Sequence, residues 1–244
     1  MCIACNWHRL KRKQGGTMSG NFEQYVSQLL QGHLPSWEDG YHLAQFKAVM
    51  PAKIKTARMM RYEYKDRAML YAYMHEKLVP AGAPIDFLEF GVFRGQSMSA
   101  WLDINRHPDS RFFGFDSFEG LPEDWDYGGR KKGDFTCDGE IPNIDDPRVR
   151  FYKGWFKDTL PGFLDTFEPR NKIVVHMDAD LYSSTVYVLM QLDRFLPRGT
   201  PVVFDDFGPK DDFAALCTYA RCCGRQWEVI ASRDDMGKIG VVIR

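Results

Sequence analysis

Phe87-Leu88-Glu89-Phe90-Gly91-Val92-Phe93-Arg94-Gly95 is the stretch on which the fold turns. A short apolar run, Ile85 to Phe90, meets an acid and two glycines where an amphipathic stretch begins. A buried parallel strand turns into its helix in this way, and glycine at the turn lets a ligand approach the backbone at the carboxyl edge of the sheet. The spacing is Gly-x-x-x-Gly rather than the Gly-x-Gly-x-x-Gly of dinucleotide binders, which disfavours a pyrophosphate seat and a nicotinamide enzyme. Glu89 would repel a pyrophosphate and attract an ammonium group. On these residues alone, a purely structural turn is the competing reading.

Working outward, the apolar runs Phe112 to Phe115, Val149 to Tyr152, Ile173 to Met177 and Pro201 to Phe204 alternate with helix-length segments. That rhythm predicts an α/β fold with a doubly wound, mostly parallel sheet. Trp227 to Ala231 and Ile239 to Ile243 bring it to seven strands, as an antiparallel hairpin around Asp234, Asp235 and Gly237. Upstream, helical spacing predicts a helix from about Tyr62 to Leu78, ended by Pro80 and Gly82. Further helices over Phe22 to Leu30 and Tyr41 to Met50 form an N-terminal cap. The division expected is a flexible tail over 1–20, a helical cap with the first sheet-packing helix over 21–82, and a catalytic domain over 83–244. A segment rich in Gly, Asp and Pro, residues 123–148, has no periodicity and reads as a lid. Met18 is an alternative start. Cys2, Cys5 and His8 look zinc-like but lack the fourth ligand of a closed site.

The 244 residues are 44% hydrophobic and 27% charged with a formal net charge of −1, proportions of an ordinary globular chain. Nothing in that balance draws it to nucleic acid or an anionic membrane, so a small-molecule partner is the default. No apolar run reaches the roughly 18 to 20 residues of a membrane span. Six scattered cysteines suit reduced thiols, and a cytoplasmic location is expected, with a homodimer through the N-terminal helices.

Asp116 closes the second strand, where an acid commonly takes the ribose hydroxyls of an adenosine-containing cofactor, or else caps the next helix. Gly154-Trp155-Phe156, after the third, offers a flat apolar surface for an adenine face or simply joins the core. His176-Met177-Asp178-Ala179-Asp180-Leu181-Tyr182 follows the fourth strand, and Asp205-Asp206 the fifth. Four carboxylates converging on one sheet edge repel one another unless a cation, a ligand or proton uptake relieves them. Oxygen donors in that number suit Mg²⁺, while helix capping by Asp180 and Asp206 is the alternative.

From about Asp86 to Gly208 the chain resembles the macrocin O-methyltransferase family, class I methyltransferases that act on sugar hydroxyls of macrolides and related natural products. The matching blocks are Glu89 to Gly95, Gly114-Phe115-Asp116-Ser117-Phe118-Glu119-Gly120-Leu121-Pro122, Gly154 to Pro161, Asp178 to Tyr182 and Asp205-Asp206-Phe207. The resemblance implies S-adenosylmethionine as cofactor, with Glu89 and Gly91 on its methionine part and Asp116 on its ribose. Val92, Arg94, Gly95, Ser117, Phe118, Gly154, Trp155, Phe156 and Asp178 complete the cofactor-binding set. It also implies Asp178, Asp205 and Asp206 as magnesium ligands and Asp180 as general base, with His176 the other candidate base. Two departures touch the acceptor: Ser183 stands where the family often has Glu, and the segment from Gly133 to Arg148 is shortened. The expected reaction is methylation of a small-molecule hydroxyl, assisted by magnesium. Metal-independent methylation of nitrogen or a carboxylate, and sulfonium binding without turnover, are its rivals.

Overall fold

The computed structural model describes residues 37–61, 68–126 and 128–244. Eight strands form one sheet. They are β1 (Arg58–Met60), β2 (Ile85–Phe90), β3 (Arg111–Asp116), β4 (Val149–Lys153), β5 (Lys172–Met177), β6 (Pro201–Phe204), β7 (Trp227–Arg233) and β8 (Ile239–Ile243). The helices are α1 (Trp37–Lys53), α2 (Met69–Leu78), α3 (Gln96–Ile104), α4 (Phe156–Thr166), α5 (Tyr182–Leu192) and α6 (Asp212–Cys222). No helix of the described residues is long and apolar enough to cross a membrane.

The spatial order is β1-β7-β8-β6-β5-β2-β3-β4, parallel throughout except for β8, which runs antiparallel to β6 and β7. From β2 the chain moves outward through β3 and β4, then returns to β5 on the other flank of β2. Open α/β sheets hold ligands outside the carboxyl ends at such a reversal. The strands at that point are buried on both faces and alternate between two cores. Leu88 and Phe90 of β2 pack toward α1, α4, α5 and α6 with Phe46, Phe163, Val188 and Phe213. Ile85 and Phe87 pack toward α2 and α3 with Tyr71, Met74 and Trp101. Each such side chain contributes roughly 1.5–3 kcal/mol.

Asp86 is one of two buried acids in β2, the one at the amino edge. Both its oxygens accept from the Arg111 guanidinium, at 2.9 and 2.6 Å, and from Asn171 and the Arg170 amide. A fully buried acid is thereby paired and hydrogen-bonded, which such burial demands.

The strand count corrects the expectation of seven. β1, three residues long, adds to β7 in parallel, with Arg58 opposite Ala231. So short a run carries no alternation to read. The helix expected from Tyr62 is described from Met69, since 62–67 lie outside the described residues, as do the helix expected over 22–30 and the tail. The segment after Pro122 carries neither helix nor strand, yet it is fastened on itself: Leu121 and Gly133 bond to Asp134 and Leu121, and Trp125 and Arg130 exchange backbone bonds.

Candidate active site

A cavity of about 1030 Å³ opens at the carboxyl edge beside the reversal point, a volume at the upper end for small-molecule sites. Its walls include Gly91 and Arg94 after β2, Asp116 and Ser117 after β3, Gly154 to Phe156 after β4, Asp178 and Asp180 after β5, and Asp205 and Asp206 after β6. Backbone bonds carry the sheet past the strand ends and fix these turns: Gly91 N–H to Phe115, Asp178 N–H to Phe90, Asp205 N–H to Met177 and Gly154 N–H to Asp116. Gly91 has φ +88°, and a Cβ there would overlap the Asp178 carbonyl. Only glycine brings these two turns together.

Asp116 acts on the loop itself. One carboxylate oxygen accepts from the Val92 and Phe93 amides at 2.8 and 2.7 Å, the other from the Phe118 amide at 2.7 Å. A carboxylate has about four acceptor positions, so one remains for a ligand hydroxyl at the cavity wall. Glu89 lies behind that wall, fully buried, with neither carboxyl oxygen hydrogen-bonded. Burial raises it to about 8, with Ser97 opposing the shift and the Asp116 charge adding to it. A buried acid left in that state fits a ligand that brings a cation to it. Gly95, which caps α3, the buried Phe118 and His176 also lie outside the cavity lining. Trp155 is half-buried on the wall rather than in the core.

The acids at the other wall divide into two groups. Asp178 and Asp180 are both pushed well above the usual carboxylate range, chiefly by burial. Lys238 draws Asp178 back down, while Asp206 raises Asp180 further and shares a hydrogen bond with it. Asp180 has φ +59°, an uncommon conformation for a non-glycine residue that is found at functional sites. Neither Asp180 nor Asp206 sits at a helix cap position: Leu181 precedes α5 and Asp211 precedes α6. Asp205 belongs to the second group. It accepts from the Tyr71 hydroxyl at 2.8 Å and forms an ion pair with the Lys238 ammonium, both residues of the pair being buried.

Among the described residues, two sets of potential ligand atoms lie within 4.8 Å of one another: His176 with Asp178 and Asp205, and Asp178 with Asp180 and Asp206. In the first, the Trp101 indole N–H donates to His176 Nδ1 at 2.9 Å. The neutral ring then carries its proton on Nε2, 3.5 Å from Asp205, and has no lone pair there for a metal or for a substrate proton. Asp205 is engaged by Tyr71 and Lys238. The residues present therefore do not fit the magnesium set Asp178, Asp205 and Asp206 that the resemblance implies. Lys238, Tyr71 and Ser97 had no place in the sequence reading. Lys238 was recoverable from it only by pairing β6 with β8, since the residue after Phe204 faces the residue before Ile239.

Residues 140–226 match the family model described as macrocin O-methyltransferase. A Streptomyces olivaceus protein, 8-demethyl-8-(2,3-dimethoxy-alpha-L-rhamnosyl)-tetracenomycin-C 4'-O-methyltransferase, is 34% identical across 55% of this chain and 58% of its own. Demethyldecarbamoylnovobiocin O-methyltransferase of Streptomyces niveus is 34% identical across 54% and 56%. The chain thus spans a little over half the length of these relatives. Among solved structures, the O-methyltransferase NovP superposes with a TM-score of 0.51 at 26% identity, covering 70% of this chain and 77% of NovP. Through residues 140–226 the chain is similar to the macrocin O-methyltransferase family, and its fold is that of an O-methyltransferase of known structure.

Proposed function

We propose that the chain is an S-adenosylmethionine-dependent O-methyltransferase that methylates a hydroxyl of a small molecule, a sugar or a sugar-bearing natural product. The observation that carries this reading is Glu89, a buried carboxyl with both oxygens unpartnered at the strand end behind the cavity, suited to the ammonium of the methionine part. Supporting it, relatives that match the chain are named as O-methyltransferases of a rhamnosyl-tetracenomycin and of demethyldecarbamoylnovobiocin. The catalytic unit is residues 83–244, the helical cap lies before it, and 123–148 is the lid.

Bound S-adenosylmethionine supplies a methyl group on a sulfonium. Glu89 holds the ammonium, Gly91 lets the ligand approach the backbone, Asp116 takes a ribose hydroxyl, and Trp155 offers a face to the adenine. Asp180 would accept the acceptor's hydroxyl proton during the methyl transfer that the bound cofactor would supply. Burial and the neighbouring Asp206 raise its affinity for protons, the direction that a proton acceptor requires. Alignment of oxygen, methyl and sulfur does the remainder. His176, with no free lone pair toward the cavity, orients Asp205 and is not the base. Magnesium has no step in this reading, because Asp205 is committed to protein donors.

Calorimetry tests the first half: S-adenosylhomocysteine should bind and NADH should give no heat. For the second, Asp180→Asn should retain that binding yet lose roughly 10²- to 10⁴-fold in methyl transfer to a glycoside acceptor drawn from a panel. An Asp180→Asn enzyme with undiminished turnover assigns the base elsewhere.

A further inference from the structure

The antiparallel register of β6 and β8 pairs Val203 with Gly240 and Phe204 with Ile239. One step further along the same ladder, Asp205 stands opposite Lys238. Beyond it the backbone remains close, with the Phe207 N–H bonded to the Gly237 carbonyl at 3.1 Å. Lys238 is also tied by its own carbonyl, which accepts from the Arg233 N–H at 3.0 Å and closes the turn between β7 and β8. The ammonium is therefore delivered to the acidic edge by the sheet and not by the sweep of a surface side chain. Its side chain is 5% exposed and that of Asp205 6%. Two buried ions in direct contact satisfy each other, and breaking such a pair leaves an uncompensated charge. Tyr71, from α2, meets Asp205 from the other side. A dication ligated by Asp205 would have to displace this ammonium or sit against it.

We propose that Lys238 is the resident cation of the acidic edge, occupying the place of a divalent metal, so that this chain takes up no Mg²⁺ or Mn²⁺ there. The ammonium then supplies the fixed positive charge at the wall against which an acceptor oxygen develops negative charge. That consequence rests on the methyl-transfer reading of the cavity. Metal uptake does not, and it is measured without turnover, so the two can fail separately.

The probe is Mn²⁺, titrated into the full chain with and without saturating S-adenosylhomocysteine and followed by the electron paramagnetic resonance of the free ion. Wild type and Lys238→Arg should leave Mn²⁺ free, whereas Lys238→Met and Lys238→Gln should bind it roughly tenfold or more tightly than wild type, once a like charge a few ångströms away is gone. Mg²⁺ should compete with the Mn²⁺ bound to those two variants. Stoichiometric uptake by wild type, as tight as in the neutral variants, overturns the proposal, and that outcome does not depend on whether any variant folds. So does a failure of both neutral variants, folded by circular dichroism, to gain affinity, for then the lysine is not what keeps the metal out.

Discussion

Glu89 should report its ligand through protons. With its acidity weakened to about 8 by burial, it is largely protonated at pH 7 in the empty site. A ligand ammonium beside it favours the charged form, so binding at pH 7 should release up to one proton and affinity should climb as pH rises from 7 toward 8. Calorimetry of S-adenosylhomocysteine in buffers of different ionisation enthalpy measures that release. Glu89→Gln should abolish it and weaken binding by roughly 1.5–3 kcal/mol. Heats that do not depend on the buffer would take the ammonium away from Glu89. At this scale the sequence was informative where chemistry is local: Glu89, Gly91 and Asp116 stand at strand ends, and their neighbours in the chain announce the turn. It was uninformative where the partner is remote. That Trp101 takes up the His176 lone pair, across 75 residues, follows from packing α3 on β5 and leaves no trace in either segment.

Among the elements, segment 123–148 is tied to the helices beside it by side-chain contacts as well as to itself by backbone bonds. The Trp125 indole donates to Asp211, at the start of α6, at 3.0 Å, and Ser183, at the start of α5, donates to Glu123 at 2.6 Å. Ser183 is one of the departures from the family pattern, and it serves here as an anchor for Glu123 and the segment that follows it. Asp211 is raised to about 6 by burial, with the Trp125 bond and Lys210 acting in the opposite direction. Because its folded value lies above its unfolded value, the folded protein binds the extra proton. Stability should therefore fall as pH rises from about 4 to about 6 and stay reduced above that, by on the order of 2–3 kcal/mol. Asp211→Asn keeps an acceptor for Trp125 and removes the buried charge, so it should raise the melting temperature at pH 8 and leave it nearly unchanged at pH 4. A uniform shift across that range would rule out Asp211 as the titrating group. β2, β6 and β8 match the apolar runs end for end because burial on both faces makes them mainly apolar, with Asp86 and Glu89 the two acids of β2. β1 is legible only through β7.

For the molecule as a whole, the parallel sheet separates two duties. Its amino edge holds Asp86 with Arg111 and Asn171, and its carboxyl edge holds the cavity, one strand length of about 20 Å away. Asp86→Ala strands the Arg111 guanidinium and should cost roughly 3–5 kcal/mol of stability. The affinity of the folded fraction for S-adenosylhomocysteine should be unchanged. Chemical denaturation with calorimetry on the same sample separates the two, and a matched loss of affinity would show that the edges are mechanically coupled. The doubly wound plan itself was readable from the alternation of apolar runs and helices. Strand order was not, because it is set by which connections cross which face. The β6–β8 neighbourhood is where that gap matters most. Position 238 lies beyond the matched segment 140–226 and outside every motif block, yet it faces Asp205. Two enzymes could share all five blocks letter for letter and still differ in whether they take up a metal, according to the one residue that faces Asp205. If Lys238 keeps metal out, metal requirement is a trait to be read where β6 meets β8 in each protein, and it does not follow from resemblance in the five blocks.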